Sequence, residues 1–242
     1  MKLEPPKSFA DLVGFSLPPG SATETHGTTV LSIRYDKGVL TFADRRATMG
    51  NLIMVDDAEK VFALDDATVI AISGSFARSI EICRLLKHSF KYFRRMHMQE
   101  MSVDGKLQEI SRALANNLPM AMNGVGVFIP IVAAYDARRK TLGVHTFDSA
   151  GARFSRGDYA AAGSGSERIR GIFEYIEDQQ GPWRKLSRDK VLIEGVRLLQ
   201  IAAELDSATG GSLANPPIVR DLTANGAPAL DPAEVKAAIK KL

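Results

Sequence analysis

The sequence predicts an α+β protein with two stacked antiparallel sheets covered outside by helices, a four-layer αββα sandwich. Three observations predict it. Short β-branched runs joined by turn residues open the body of the chain at Thr28. A block of helical periodicity follows, and the chain then returns to strands and to helices again. A parallel doubly wound sheet would need single helices between single strands, so strand blocks alternating with helix pairs argue for stacked sheets instead.

Thr28 to Tyr35 and Val39 to Ala43 read as a hairpin across Asp36-Lys37-Gly38, and Lys60 to Leu64 and Thr68 to Ser73 as a second pair around Asp65-Asp66. From Phe76, apolar residues at Ile80, Cys83, Leu86, Phe90 and Phe93 recur every three or four positions and predict a helix. Leu107 to Leu118 is a second helix, expected to stop before Pro119. Strands are expected at Val125 to Tyr135, Leu142 to Phe147 and Arg153 to Ala162, and helices at Glu167 to Glu177 and Arg188 to Leu205. Pro217 to Leu222 is a late strand and Asn225-Gly226 a hairpin-type turn. Asp231-Pro232 supplies an N-cap and a first-turn proline for a short last helix.

The first 27 residues differ. Pro5, Pro6, Pro18 and Pro19, with a small-polar run up to Gly27, read as a leader without sustained periodicity. Residues 28–242 form one domain without repeats. The 31 basic and 28 acidic residues leave a formal charge of only +3, which argues against a bulk electrostatic grip on nucleic acid or membrane. The basic residues Lys87, Lys91, Arg94 and Arg95 on the first helix lack an aromatic ladder, so a solvated or subunit-contact face is expected there. Val125 to Tyr135, the longest apolar stretch, is far below the roughly 18 residues that span a bilayer. With Cys83 the only cysteine, no internal disulfide and no cysteine-based zinc site can form, and a cytoplasmic setting is expected.

No metal or cofactor is expected: the four histidines stand in no ligand spacing and no phosphate-binding glycine loop is present. Gly163-Ser164-Gly165-Ser166 is not a serine-hydrolase elbow, because Glu167 follows and no His-Asp pair is suitably placed. The remaining chemistry lies at the junction of leader and body. Cleavage between Gly27 and Thr28 would leave Thr28 with its hydroxyl beside a free α-amine. Such an amine, with a pKa of about 7.7 to 8.0, can take the hydroxyl proton near neutral pH. A cation near this site would depress both pKa values, and an acid would hold the cation. Asp44 and Lys60, at the ends of their strands, are candidates. Taken singly, an Asp-Arg-Arg turn is usually a solvated corner and a strand-end lysine usually exposed.

With Gly27-Thr28-Thr29-Val30, the run Ala43-Asp44-Arg45-Arg46-Ala47-Thr48-Met49-Gly50-Asn51, Lys60-Val61, Gly163-Ser164-Gly165-Ser166 and Asp206-Ser207-Ala208-Thr209-Gly210-Gly211 in order, the chain resembles the actinobacterial-type bacterial proteasome β subunits, within the N-terminal-nucleophile (Ntn) hydrolases. The resemblance runs from Gly27 to about Thr223. It implies the Ntn-hydrolase form of the αββα sandwich, self-cleavage at Gly27-Thr28, and a threonine endopeptidase with Thr28 as nucleophile and Asp44 and Lys60 as charged supports. It further implies that Gly74 offers its N–H to the oxyanion, and that Ser164, Asp206 and Thr209 support the α-amine; Thr209 stands where many relatives have serine.

By the same resemblance Thr48 and Gly74 bind the substrate backbone as an added strand, and Ala47, Ala58, Ile72 and Phe76 line the first side-chain pocket. Their uncharged walls point to cleavage after apolar residues. Phe76 either narrows that pocket or belongs to the helix core. The implied partners are other β subunits in seven-membered rings, proteasome α subunits, unfolded protein substrates and, indirectly, an ATPase ring that unfolds them. Two alternatives stand beside this reading. One is the simpler bacterial threonine peptidase of stacked six-membered rings, which lacks the Asp-Arg-Arg and Asp-Ser-Ala-Thr-Gly-Gly combination. The other is a non-catalytic structural β-type subunit, against which the joint presence of Thr28, Asp44 and Lys60 speaks.

Overall fold

A computed structural model of the chain describes residues 27–49, 52–210 and 215–242. The leader, apart from Gly27, lies outside the described residues.

The first strands, β1 (Thr29–Arg34) and β2 (Val39–Ala43), pair antiparallel, with Val30 opposite Ala43 and Arg34 opposite Val39. β10 (Tyr159–Gly163) and β11 (Ile218–Leu222) flank them, giving the antiparallel order β10-β1-β2-β11. β5 (Val61–Asp65), β6 (Thr68–Ala71), β7 (Ile131–Asp136), β8 (Thr141–Phe147) and β9 (Arg153–Arg156) form a second antiparallel sheet in sequence order. β3 (Ala47–Met49) and β4 (Leu52–Val55) make a separate two-stranded ribbon.

Side-chain alternation places the cores. Val30, Val39, Ala43, Val61, Val69, Ala71, Ile131 and Ala133 meet in one cluster, so the two sheets face one another. From the first sheet Leu31, Ile33, Leu40 and Phe42 point the other way. They pack with residues of α3 (Ser166–Gln180), α4 (Arg188–Leu205) and α5 (Pro232–Ile239), including Phe173, Val196 and Val235, around the buried Trp183. From the second sheet Ile70, Ile72 and Val132 pack under α1 (Phe76–His97) and α2 (Val103–Met122) with Ile82, Phe90 and Ile110.

The described residues thus form a mixed α+β structure of antiparallel sheets and five helices. At its C-terminal end Asp231 caps α5 by accepting from Ala233 N–H, with Pro232 in the first turn. Arg188 binds Asp221 of β11 and Glu234 of α5 and so fastens that helix down.

Several expectations are corrected. α2 does not stop before Pro119: the proline sits in its last turn, where one lost N–H costs little against the burial of Leu107, Ile110 and Leu114. Val125 to Ile129 is not strand, because Gly124 and Gly126 take φ of 73° and 72° and turn the chain before Pro130. Arg153 to Ala162 is two strands in different sheets, β9 beside β8 and β10 beside β1, with Gly157 and Asp158 carrying the chain across. The ribbon β3-β4 was not expected. All four residues of β4, Leu52 to Val55, are exposed, so no alternation marks it in the sequence.

Burial pushes the Cys83 thiol up to about 12, so it is an inert core side chain. Gly195 lets α4 lie directly on Phe42: a Cβ there would fall 2.3 Å from the Phe42 ring. Gly195→Ala is therefore expected to destabilise the fold by about 1–3 kcal/mol through overpacking, read as a lowered thermal unfolding midpoint.

Candidate active site

The chain enters the first sheet through Gly27 and Thr28, and the sheet register sets what surrounds them. Thr29 lies opposite Gly163 at the end of β10. Gly163 has φ of 97°, and a Cβ on it would lie 1.8 Å from the Thr28 carbonyl oxygen. Glycine is therefore required there to let Thr28 lie against the end of β10. The preceding residue is equally confined, since a Cβ on Gly27 would overlap that of Ala208 at 1.7 Å. Thr28 is buried, and its hydroxyl donates to the Gly27 carbonyl oxygen at 2.7 Å. Gly27 N–H in turn donates to the Thr48 hydroxyl on β3 at 3.3 Å.

Asp44 and Lys60 stand beside this junction as a buried ion pair, Nζ to Oδ1 2.8 Å, both almost fully sequestered from solvent. Asp44 leaves the end of β2 and Lys60 precedes β5, so the two facing sheets bring them together. The carboxylate also accepts from Thr29 N–H at 2.9 Å, Arg46 N–H at 3.0 Å and Gly210 N–H at 3.0 Å. Lys60 makes a second bond to the Arg46 carbonyl. Burial pushes the Asp44 carboxyl up and the Lys60 ammonium down from their ordinary values. Their mutual attraction and hydrogen bonds oppose both shifts. Breaking such a pair leaves an uncompensated buried charge, and replacing either partner is strongly disruptive.

On the other side of Thr29, its hydroxyl meets that of Thr209 at 2.6 Å. Thr209 donates to Asp206 at 2.6 Å, and Ser164 donates to the same carboxylate oxygen at 2.5 Å. Burial alone would raise Asp206, but the bonds from Ser164 and Thr209, with the Ala208 N–H and the Arg168 charge, outweigh it and hold this carboxyl below its ordinary value. A continuous hydrogen-bonded chain thus runs from Lys60 through Asp44, Thr29, Thr209 and Asp206 to Ser164, passing directly beside Thr28. Gly165 fits against Thr29 and Thr209, where a Cβ would lie 2.2 Å and 2.9 Å from their hydroxyls.

Of the residues singled out in the sequence, Thr28, Asp44, Lys60, Ser164, Asp206 and Thr209 are brought to this network. Thr48 touches it through Gly27 N–H. Gly74 follows the second sheet's inner strand, with φ of 100° and a bridge to Phe128; a Cβ there would lie 2.2 Å from the Val127 carbonyl oxygen. Ala47 is half-buried on β3 and Ala58 is buried, its N–H donating to the Arg45 carbonyl. The Ile72 side chain belongs to the core beneath α1 and α2, and Phe76 packs against that same core. Phe76 shares a surface cleft with Phe62 and Ile80.

Thr29 and Arg46 were not singled out as participants. Their signal was present only as neighbours in the Gly-Thr-Thr-Val and Asp-Arg-Arg motifs, and their roles depend on loops distant in sequence. Among the described residues no group of three or more His, Cys, Asp or Glu is placed to hold a metal ion. No described helix is long and apolar enough to cross a membrane.

A buried threonine hydroxyl thus lies against the peptide bond before it, beside a buried lysine–carboxylate pair. The chain belongs to the proteasome subunit family, whose model matches residues 24–214. Within it the similarity is to β subunits. The chain is 36% identical over 200 residues to the proteasome subunit beta of Streptomyces griseus subsp. griseus, covering 81% of this chain and 68% of the relative. It is 34% identical over 195 residues to that of Acidothermus cellulolyticus, covering 77% of this chain and 63% of the relative. The chain thus spans a little under or over two thirds of the length of these relatives.

The Asp206 carboxyl, held low in the folded protein, contributes stability that is fully present above its unfolded pKa of about 3.9 and lost as pH falls through the lower folded value. Asp206→Asn should accordingly lower the urea midpoint at pH 7. The gap from wild type should narrow in acid, below the ordinary carboxylate range.

Proposed function

We propose that this chain is a catalytic β subunit of a bacterial proteasome core particle, a threonine endopeptidase whose nucleophile is Thr28 after self-cleavage at Gly27-Thr28. The observation that carries the reading is the 2.7 Å contact of the Thr28 hydroxyl with the Gly27 carbonyl oxygen, beside the Asp44–Lys60 pair. In the uncut chain that hydroxyl attacks the Gly27 carbonyl carbon. The peptide C–N bond breaks, the Gly27 acyl group passes to the Thr28 oxygen as an ester, and the nitrogen takes up a proton as the α-amine. Water then hydrolyses the ester, releasing residues 1–27 as an acid and leaving residues 28–242 as a single Ntn-hydrolase domain with the αββα layering.

In the mature site the α-amine takes the Thr28 hydroxyl proton as the oxygen adds to a substrate carbonyl. Gly74 N–H stabilises the oxyanion. Collapse expels the leaving amine with that proton and leaves an acyl ester that water cleaves. The Lys60 ammonium lowers the cost of negative charge on the Thr28 oxygen, and Asp44 holds the lysine in place. Asp206, Ser164 and Thr209 hold the α-amine.

Thr48 and Gly74 take the substrate backbone as an added strand. Ala47, half-buried on β3, provides an uncharged wall beside the substrate strand, while Ala58 and Ile72 are buried and Phe76 packs against the core beneath α1 and α2. This favours cleavage after apolar residues.

Assembly is part of the reading. The four apolar side chains of β4, 44–58% exposed, and Leu85, Tyr92 and Met96 on α1 form surfaces that neighbouring β subunits in seven-membered rings and α subunits would cover. An ATPase ring feeding unfolded protein, and a cytoplasmic setting, complete the expected context. A peptidase of loose sequence preference is safe only in a closed chamber, and a leader blocking Thr28 until assembly serves the same end.

Intact-mass analysis after co-expression with an α subunit tests the proposal. Wild type should lose residues 1–27 and cleave apolar peptide substrates. Thr28→Ala should assemble, retain the leader and lose at least about 10³-fold in peptidase activity, the scale expected when a nucleophile is removed. Undiminished activity in Thr28→Ala would overturn the assignment.

A further inference from the structure

We propose that Arg46 is a positioning residue of the Thr28 site, fastening the 206–210 loop to the segment after β4 while its main chain holds both members of the buried ion pair. The proposal rests on the threonine peptidase reading above. Through its main chain, Arg46 N–H donates to Asp44 Oδ2 at 3.0 Å and its carbonyl accepts from Lys60 Nζ. Any displacement of residue 46 therefore reaches the carboxylate and the ammonium together.

The side chain fixes that residue in place. Its Nε binds Asp56 Oδ1 at 2.9 Å, and Nη1 donates to the Ser207 carbonyl at 3.2 Å. The guanidinium lies over Gly210, where a Cβ would fall 2.4 Å from Nε. Gly210 itself donates to Asp44, and its carbonyl accepts from Arg45 N–H at 3.2 Å. The strapped loop is the one that carries Asp206 and Thr209. One arginine thus joins the segment after β2, the segment after β4 and a loop some 160 positions away in sequence.

The value of this contact is geometric. The Arg46–Asp56 pair is partly exposed, 25% and 49%, and an exposed ion pair is worth little as a charge interaction. A planar guanidinium, however, presents donors in a rigid fork that can satisfy a carboxylate and a carbonyl at once, whereas an ammonium on a flexible stem is a point charge. The Arg46 cation also adds to burial in pushing Lys60 down, while Asp44 and Asp206 pull it up. Removing the Arg46 charge therefore relieves part of the downward push on the Lys60 ammonium.

The test uses the full chain assembled with its partner subunits and a fluorogenic apolar peptide. Arg46→Met is expected to lower kcat about 10–100-fold with KM within about threefold, the range for misplacing catalytic groups by about an ångström. Leader removal should slow alongside, and the pH profile of kcat/KM should move to higher pH. Arg46→Lys should keep the wild-type pH profile yet recover only part of kcat. Asp56→Asn, at a half-exposed position, should lower kcat in the same direction and combine with Arg46→Met less than additively.

Wild-type kcat and leader removal in Arg46→Met, full recovery of kcat by lysine, or additive losses with Asp56→Asn would each overturn the proposal. Should Arg46→Met fail to assemble, wild-type kcat in Asp56→Asn would overturn it alone. An assembled wild type without peptidase activity, or an active Thr28→Ala, would instead defeat the underlying functional reading.

Discussion

Everything near Thr28 depends on a buried ion pair. Asp44 and Lys60 sit where the two facing sheets meet, in surroundings that penalise each charge separately. They are tolerated because each satisfies the other and because three backbone N–H groups and one carbonyl complete their bonding. The geometry of those bonds then becomes a constraint on the chain. Thr29 N–H must point at Asp44, which fixes the first residue of β1 and so the direction in which Thr28 enters. Gly210 N–H must reach the same oxygen as Arg46 N–H, which brings a distant loop to the start of β3. A pair of this kind adds little net stability; its effect is to specify one arrangement of the strand ends.

The second constraint is space. Gly27, Gly163, Gly165 and Gly210 surround the junction, and a Cβ at each would collide with Ala208, the Thr28 carbonyl, the Thr29 hydroxyl or the Arg46 side chain. The glycines allow β10, the 206–210 loop and the entering chain to crowd around one threonine. With Thr28 itself buried, cleavage of the preceding peptide bond is what would open the site. Burial, the ion pair and the glycine packing thus act on one point: they hold the Thr28 hydroxyl against the Gly27 carbonyl, the contact on which the proposed self-cleavage rests.

Much of this was legible in the sequence, for identifiable reasons. The strands of both sheets show β-branched runs between turn residues because both of their faces meet a core, and α1 and α4 carry long apolar stripes because each faces a core on one side only. Asp44 and Lys60 were readable at strand ends once Thr28 was considered as a nucleophile. The β3-β4 ribbon was hidden because its apolar residues face solvent, and periodicity reports burial. The division of β9 from β10 was hidden because strand propensity runs through both and only Gly157-Asp158 separates them. Pro119 misled because a local penalty was outweighed by tertiary burial of the same helix. The parts played by Thr29 and Arg46 could not be read locally, since each is defined by a partner in the 206–210 loop that only the folded sheets bring near.

In the function proposed above, the buried pair organises Thr28 for chemistry on the bond before it. The most direct measurement is the time course of leader removal, followed by intact mass, in assembled particles carrying Asp44→Asn or Lys60→Met. Replacing either partner destabilises the fold and lowers the yield of particles; in those that do assemble, cleavage at Gly27-Thr28 should slow by about 100-fold or more, since misplaced catalytic groups cost about that much. Processing of either variant at the wild-type rate would contradict it.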